Sequence, residues 1–393
     1  MRDFTYYVPT EILFGRGAEA DTAKEIRKFG GSRVLVVTGG GSVERSGLLA
    51  RIEQGLKEAG LAYEVFRGAK PNPRLSHARE GVRRALEMRA DLILAVGGGS
   101  AIDTAKGIAH GAANPDTDIW DFWCGNAPLT RSMPVGVVLT ISAAGSETSN
   151  SAVLTNEENG QKRGLGHDLN RPAFAIMDPE LTMTLPAYQV ACGVVDIMMH
   201  TLDRYFNPVW DNDLTDGIAE ALLRTVIQNG RRAAADKTDY HAMSELMWCG
   251  SVSHNGLTGL GGKQDFAPHQ LGHELSSRFD VAHGASLSTV WGAWAETCLQ
   301  AGPARFARLG REVWGLREED DLAAARAAIR ATVDYFRELG MPTCFSELGV
   351  GVQDEATLCE MADCVTYHGA RTIGSFRVMG REEILAAYRL ANR

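Results

Sequence analysis

Continuous apolar runs alternate with amphipathic stretches through the first half of the chain. SRVLVVT (Ser32 to Thr38), DLILAV (Asp91 to Val96) and PVGVVLT (Pro134 to Thr140) show no alternation of polar and apolar positions. Each therefore predicts a strand buried on both faces. LAYEVFRG predicts another, ending near Gly68. Helical spacing runs from Gly47 to about Ala59 and from Leu75 to Met88, and a further helix opens after Gly97-Gly98-Gly99-Ser100. Strand–helix–strand repetition of this kind predicts an α/β domain with a parallel sheet covered on both faces.

After Pro186 the pattern changes. Ala187 to Tyr205, Leu214 to Ala235, Tyr240 to His254, Ala285 to Gln300, Ala304 to Val313, Leu322 to Leu339 and Asp354 to Tyr367 all suit helices, while β-branched alternation becomes scarce. A boundary near Leu185-Pro186 divides the chain into an α/β domain, 1–186, and an all-α domain, 187–393. The length of 393 residues agrees with two cores.

Composition narrows the class. With 45% hydrophobic and 23% charged residues the chain has the balance of a globular protein. A net charge of -9 without a Lys/Arg run argues against a nucleic-acid partner. The opening MRDFTYYVPT lacks a secretion signal, and no apolar run reaches membrane-spanning length, so no membrane role is expected. The seven cysteines are scattered, and none forms CxxC. Reduced thiols in a cytoplasmic enzyme fit that pattern.

Two kinds of candidate chemistry stand out. DFAPHQLGHELSSRFDVAHG (Asp265 to Gly284) carries His269, His273 and His283, and VVDIMMH carries Asp196 and His200. Helical i,i+4 spacing puts Asp196 with His200, and His269 with His273, on common faces. A carboxylate with several imidazoles and no thiolate is a nitrogen/oxygen site for a divalent transition metal. An HxxxH taken alone is as often a pair of unrelated histidines. Spacing does not say which of His269 and His273 binds metal.

The second kind is a pair of Gly-rich turns, Gly39-Gly40-Gly41-Ser42 and Gly97-Gly98-Gly99-Ser100, each following a strand. Unpaired N–H groups at such a strand-to-helix junction attract phosphate, and glycine lets a ligand approach the backbone. GGGS is not the GxGxxG spacing, and a plain tight turn is its ordinary reading. Asp103 is a helix-start charge or a cofactor partner. Asn72, between Pro71 and Pro73, and Lys162, in the hairpin-like NEENGQKRG, have equally ordinary readings as turn and surface residues.

Together these motifs resemble a metal-dependent (iron-containing, group III) alcohol dehydrogenase, most of all the branch of NADPH-dependent butanol dehydrogenases and aldehyde reductases. The likeness runs nearly end to end. It includes PTEILFGRGA, VLVVTGGGSVERSGLL, PNPR, AVGGGSAIDTAK, TISAAGSETSNSAVLTNEENGQKRG, MDPELTMTLP, GVVDIMMHTLDRYF and APHQLGHELSSRFDVAHGASLS. The resemblance implies the dehydroquinate synthase-like fold of that family. It makes Asp196, His200, His269 and His283 the metal ligands and His273 the catalytic histidine beside nicotinamide and substrate. It also makes Gly98, Gly99, Ser100 and Asp103 the pyrophosphate loop, with Asn72, Thr140 and Lys162 as further cofactor contacts. Fe²⁺ or Zn²⁺ is the implied metal, and small aldehydes and alcohols are the implied substrates.

Many NAD-preferring members carry an acidic residue after the strand that here ends at Thr38. This chain has Gly39 there. Without a carboxylate to bond the ribose 2′-hydroxyl and repel a 2′-phosphate, Gly39, Gly40, Gly41 and Ser42, helped by Arg45, are expected to favour NADP(H), with NAD possible. A glycerol-dehydrogenase-like polyol dehydrogenase using NAD, and a metallohydrolase without nicotinamide, are the rival readings. Family dimers suggest that FTYYVPTEILFG pairs across a two-fold, giving a homodimer.

Overall fold

The computed structural model describes residues 2–209 and 211–393; Met1, counted with the first domain above, and Trp210 lie outside them. The chain forms two compact units. One is Tyr7–Leu185, and the other joins Pro186–Arg393 with the short stretch that ends at Tyr6.

The first unit is an α/β layer structure. Its six-stranded sheet has the order β1 (Glu11–Phe14), β8 (Phe174–Met177), β5 (Val135–Leu139), β4 (Leu92–Gly97), β2 (Arg33–Thr38) and β3 (Ala62–Phe66). All five pairings are parallel. The apolar runs β2, β4 and β5 occupy the middle because a central parallel strand is covered on both faces. Val34, Val36, Leu92, Leu94, Val138 and Ile176 are fully buried in one core cluster. Within the N-terminal segment offered above to a partner subunit, Glu11–Phe14 is the edge strand of the chain's own sheet, with Glu11 opposite Phe174.

This order positions the cofactor candidates. From β2 the chain moves outward to β3, then returns to the other side of β2 as β4. The carboxyl ends of β2 and β4 therefore flank a topological switch point, the place where open α/β sheets take their ligands. Thr38 is opposite Val96, and Gly97 is opposite Leu139. Gly39–Ser42, Gly97–Ser100 and Thr140 thus emerge side by side. A two-stranded hairpin, β6 (Ser151–Asn156) with β7 (Gln161–Gly166), stands beside the sheet. The N–H of Thr155 donates to Pro73 O at 2.7 Å, which ties the hairpin to the Pro71–Pro73 turn.

The second unit is helical. Its main helices are Ala187–Tyr205, Asp213–Ala235, Tyr240–His254, Ala267–Phe279, His283–Cys298, Pro303–Trp314, Asp321–Glu338, Glu355–Val365 and Arg381–Ala391. From Val190 onward every residue of Ala187–Tyr205 is buried, so it is the central helix of the bundle. Gly284 has a packing reason. A Cβ there would lie 2.2 Å from the carbonyl oxygen of Cys192, so only glycine lets the start of His283–Cys298 sit against the central helix. That close approach delivers His283 to Asp196. Among the described residues no helix is long and apolar enough to cross a membrane.

Candidate metal centre

Asp196 and His200 lie one turn apart on the central helix, with Nε2 of His200 3.5 Å from Oδ1 of Asp196. The helix Ala267–Phe279 brings His269, whose Nε2 is 3.8 Å from the same oxygen. That helix ends at Phe279, and Asp280 adopts φ 50, a left-handed turn that reverses the chain. The next helix starts at His283, whose Nε2 is 3.7 Å from Asp196 Oδ1. One carboxylate oxygen thus faces three imidazole nitrogens.

Distances of 3.5–3.8 Å are too long for good hydrogen bonds. They suit atoms arranged around an ion: two ligands each about 2.1 Å from a tetrahedral centre are about 3.4 Å apart. Asp196, His200 and His269 are all buried, with donor atoms within 4.8 Å of one another. Among the described residues, Oδ1 of Asp196 and Nε2 of His269 are buried without a hydrogen-bond partner. Buried polar atoms are seldom left so, and a bound cation accounts for both. The electrostatics agree. Burial holds His200 well below the usual histidine range, which keeps it a neutral ligand. Burial also opposes charge on His269, yet the carboxylates of Asp203 and Asp196 outweigh it and raise that imidazole. A positive charge is favoured at this point. The residues present fit a divalent cation.

His273, one turn beyond His269, is half-buried and stands apart from the buried group. Its ring centre lies 5.3 Å from that of His283 and 6.2 Å from that of His269. It borders the cluster beside His283, itself half-buried.

In the α/β unit, Gly98 precedes the helix Gly99–Ala113, and no side chain caps that end. A Cβ on Gly98 would come within 2.2 Å of Ile141 Cγ2, so the turn is closed to any larger residue. The N–H of Thr140 donates to Gly97 O at 3.1 Å. Asp103 braces the neighbouring loop: Ser146 Oγ donates to Oδ1 at 2.6 Å and the N–H of Val153 to Oδ2 at 2.9 Å. Lys162, on β7, donates from Nζ to Oδ1 of Asn72 at 2.9 Å. Asn72 itself adopts φ 55. Gly41 adopts φ 89 at the turn after β2, and Arg45 Nη1 would be 3.3 Å from a Cβ placed there. Arg67 Nε pairs with Glu44 at 2.6 Å beside the same turn.

Two further residues belong to the metal cluster that the motifs left out. His254 stacks on His200 with ring centres 3.9 Å apart. Asp203 Oδ2 lies 2.5 Å from Nδ1 of His269. Asp203 follows His200 by three residues, a helical neighbour that spacing could have flagged; nothing local connects Tyr240–His254 to the cluster.

Comparison with known proteins gives a family match over most of the chain. The family model for iron-containing alcohol dehydrogenase matches residues 9–179, and that for the C-terminal part of the Fe-containing alcohol dehydrogenase family matches 190–392. NADH-dependent butanol dehydrogenase A of Clostridium acetobutylicum is 40% identical over 391 residues, 99% of each chain. NADPH-dependent aldehyde reductase YqhD of Escherichia coli is 35% identical over 376 residues, 95% of each. The crystal structure of NADH-dependent butanol dehydrogenase A from Thermotoga maritima superposes with a TM-score of 0.96 at 32% identity, covering 100% of this chain and 99% of that one.

Proposed function

The chain belongs to the iron-containing alcohol dehydrogenase family and is a metal-dependent, NAD(P)-linked oxidoreductase of alcohols and aldehydes; from that premise we propose that it reduces small aldehydes to primary alcohols, and runs the reverse, with NADP(H) and one Fe²⁺ or Zn²⁺. The observation that carries this reading is the convergence of three imidazole Nε2 atoms on Asp196 Oδ1. Asp196, His200, His269 and His283 hold the cation.

When bound, the cation supplies Lewis acidity toward the substrate oxygen and the nicotinamide supplies or accepts the hydride. The residues of this chain do the rest. Asp196 offsets part of the ionic charge, and burial of Asp196, His200 and His269 keeps competing water away. A ring nitrogen of His273 passes the proton that completes the alcohol, a task suited to an imidazole, which can both donate and accept a proton. Gly98, Gly99 and Ser100 present backbone N–H groups to the pyrophosphate, Asn72, Thr140 and Lys162 orient the cofactor, and Asp103 holds the loop against which it lies.

The names of the relatives divide between NADH and NADPH, so the choice rests on this chain's own turn. It offers Gly39, Gly40, Gly41 and Ser42 where a carboxylate would repel a 2′-phosphate. Arg45 folds back toward Gly41, and Arg67 already neutralises Glu44. The local balance is positive.

The test is the fall of NADPH absorbance on adding butanal, before chelation, after it, and after restoring Fe²⁺ or Zn²⁺. Activity that vanishes and returns with metal supports the reading. Turnover unaffected by chelation would remove the metal from it, and ester hydrolysis without NADPH consumption would favour a hydrolase.

A further inference from the structure

Asp203 is among the most deeply buried carboxylates of the helical unit, 1% exposed. Such a group is costly to bury unless it is paired or hydrogen-bonded. Its side chain and backbone both answer to the helix that carries His269. Oδ2 lies 2.5 Å from Nδ1 of His269. The backbone oxygen of Asp203 accepts the N–H of Asp265 at 2.8 Å. Asp265 in turn accepts the N–H of Ala267, the first residue of that helix, at 3.0 Å. The ring of His269 therefore has a carboxylate at each nitrogen: Asp203 at Nδ1 and Asp196 at Nε2.

We propose that Asp203 is a positioning residue of the metal centre, accepting the Nδ1 proton of His269 and so fixing the tautomer whose Nε2 lone pair faces the cation. The inference rests on the metal reading above. Its physical basis is general. A histidine ligand needs its second nitrogen anchored, because ring orientation and proton location together decide whether a lone pair is available. A carboxylate does this more strongly than a neutral acceptor: it withdraws the Nδ1 proton further and makes Nε2 a better donor. It also adds a second negative charge, after Asp196, against a doubly charged ion. Asp203 is not itself a ligand, because it meets the imidazole on the edge away from Asp196. A helix-interior charge with no part in the site would not need this aim.

The test uses the full-length protein and Co²⁺, with affinity read by competition against a chromophoric chelator and the coordination sphere by the cobalt d–d spectrum. Asp203→Asn is expected to weaken Co²⁺ by about 10–100-fold and to displace the d–d bands, while still binding one ion per chain at saturation. Asp203→Glu, which restores the charge, is expected to recover most of that loss. Wild-type affinity and an unchanged spectrum in Asp203→Asn would overturn the role of Asp203 and leave the metal site standing. Failure of the wild-type chain to bind Co²⁺ at all would overturn the site itself. A measurement on the unmutated protein guards against a variant that does not fold: in histidine-labelled, Zn²⁺-loaded protein, long-range ¹H–¹⁵N correlation should find His269 protonated at Nδ1 and metal-bound at Nε2. The opposite tautomer would refute the proposal.

Discussion

Lys162 reaches across ninety residues of sequence to donate from Nζ to Oδ1 of Asn72 at 2.9 Å. The hairpin carries the lysine, the Pro71–Pro73 turn carries the asparagine, and the hydrogen bond from Thr155 to Pro73 binds the two pieces together. One charged donor and one amide therefore act as a unit at the proposed cofactor site. Lys162→Met is expected to raise KM for NADPH about tenfold, the cost of one hydrogen bond to a charged group, with little change in metal content. Asn72→Ala should have a similar effect. Because the pair is coupled, the double variant should lose less than the product of the two single losses. Steady-state kinetics on the three variants decides this.

Cofactor choice is tested at Arg45. The Gly39–Ser42 turn has no carboxylate, and Arg45 bends back toward Gly41. Arg45→Ala is expected to raise KM for NADPH about tenfold while KM for NADH changes less than about twofold. The NADPH effect should shrink at high salt, where an exposed charge is screened. A wild-type enzyme with the lower KM for NADH would reverse this assignment.

The two histidines of HQLGH should separate cleanly. His269 belongs to the buried donor group and His273 borders it. His269→Ala is expected to lose metal and activity together. His273→Ala should keep one ion per chain, yet lose about 10²–10⁴ in turnover, the range for a general acid–base group. Metal analysis beside kcat in both variants is the measurement; matching losses of metal would put His273 among the ligands.

Acid stability offers an independent check on the α/β unit. His110 lies on the helix Gly99–Ala113, with Nε2 2.8 Å from Asn170 Oδ1 and Nδ1 2.8 Å from Ser132 Oγ. Asn170 is locked by its amide group, which donates to the carbonyls of Asn150 and Leu165, so Oδ1 must face the ring. Burial, which outweighs the hydrogen bond to Asn170, lowers the pKa of His110 to about 4. Between that value and about 6.5 the unfolded chain binds more protons than the native one. Stability is therefore full above about 6.5 and drains as pH falls toward about 4, by about 3 kcal/mol for this group. Urea titrations at pH 7 and pH 5 should show a smaller loss in His110→Gln than in the wild type. An equal loss would contradict the account of His110.

Much of this architecture was legible because its causes are local. The short, β-branched runs SRVLVVT and DLILAV, each followed by a glycine turn, suit doubly covered strands, and they form β2 and β4 in the centre of the sheet. The helices Ala187–Tyr205 and Tyr240–His254 begin and end where the spacing puts them. β8 was not legible: FAIM is four residues long, and only its partners β1 and β5 make it a strand. The helix Arg381–Ala391 follows Gly380 with REEIL, a start signal too short to stand out among the longer helical runs. At the site the gap has a different cause. Spacing alone paired Asp196 with His200 and His269 with His273, but it could not bring the two pairs together; that takes tertiary contacts such as Gly284 against Cys192 for His283 and the Asp265 N–H to Asp203 O bond for the His269 helix. Asp203 looked like any helix charge until the fold aimed it at His269.

Everything proposed for catalysis depends on one cation held by Asp196 and three imidazoles. The direct measurement is an anomalous difference map from crystals of the Co²⁺- or Zn²⁺-loaded protein, collected on either side of the metal absorption edge. The account predicts a single strong peak within about 2.3 Å of Asp196 and of the Nε2 atoms of His200, His269 and His283. A peak elsewhere, or none in a fully loaded and active crystal, contradicts it.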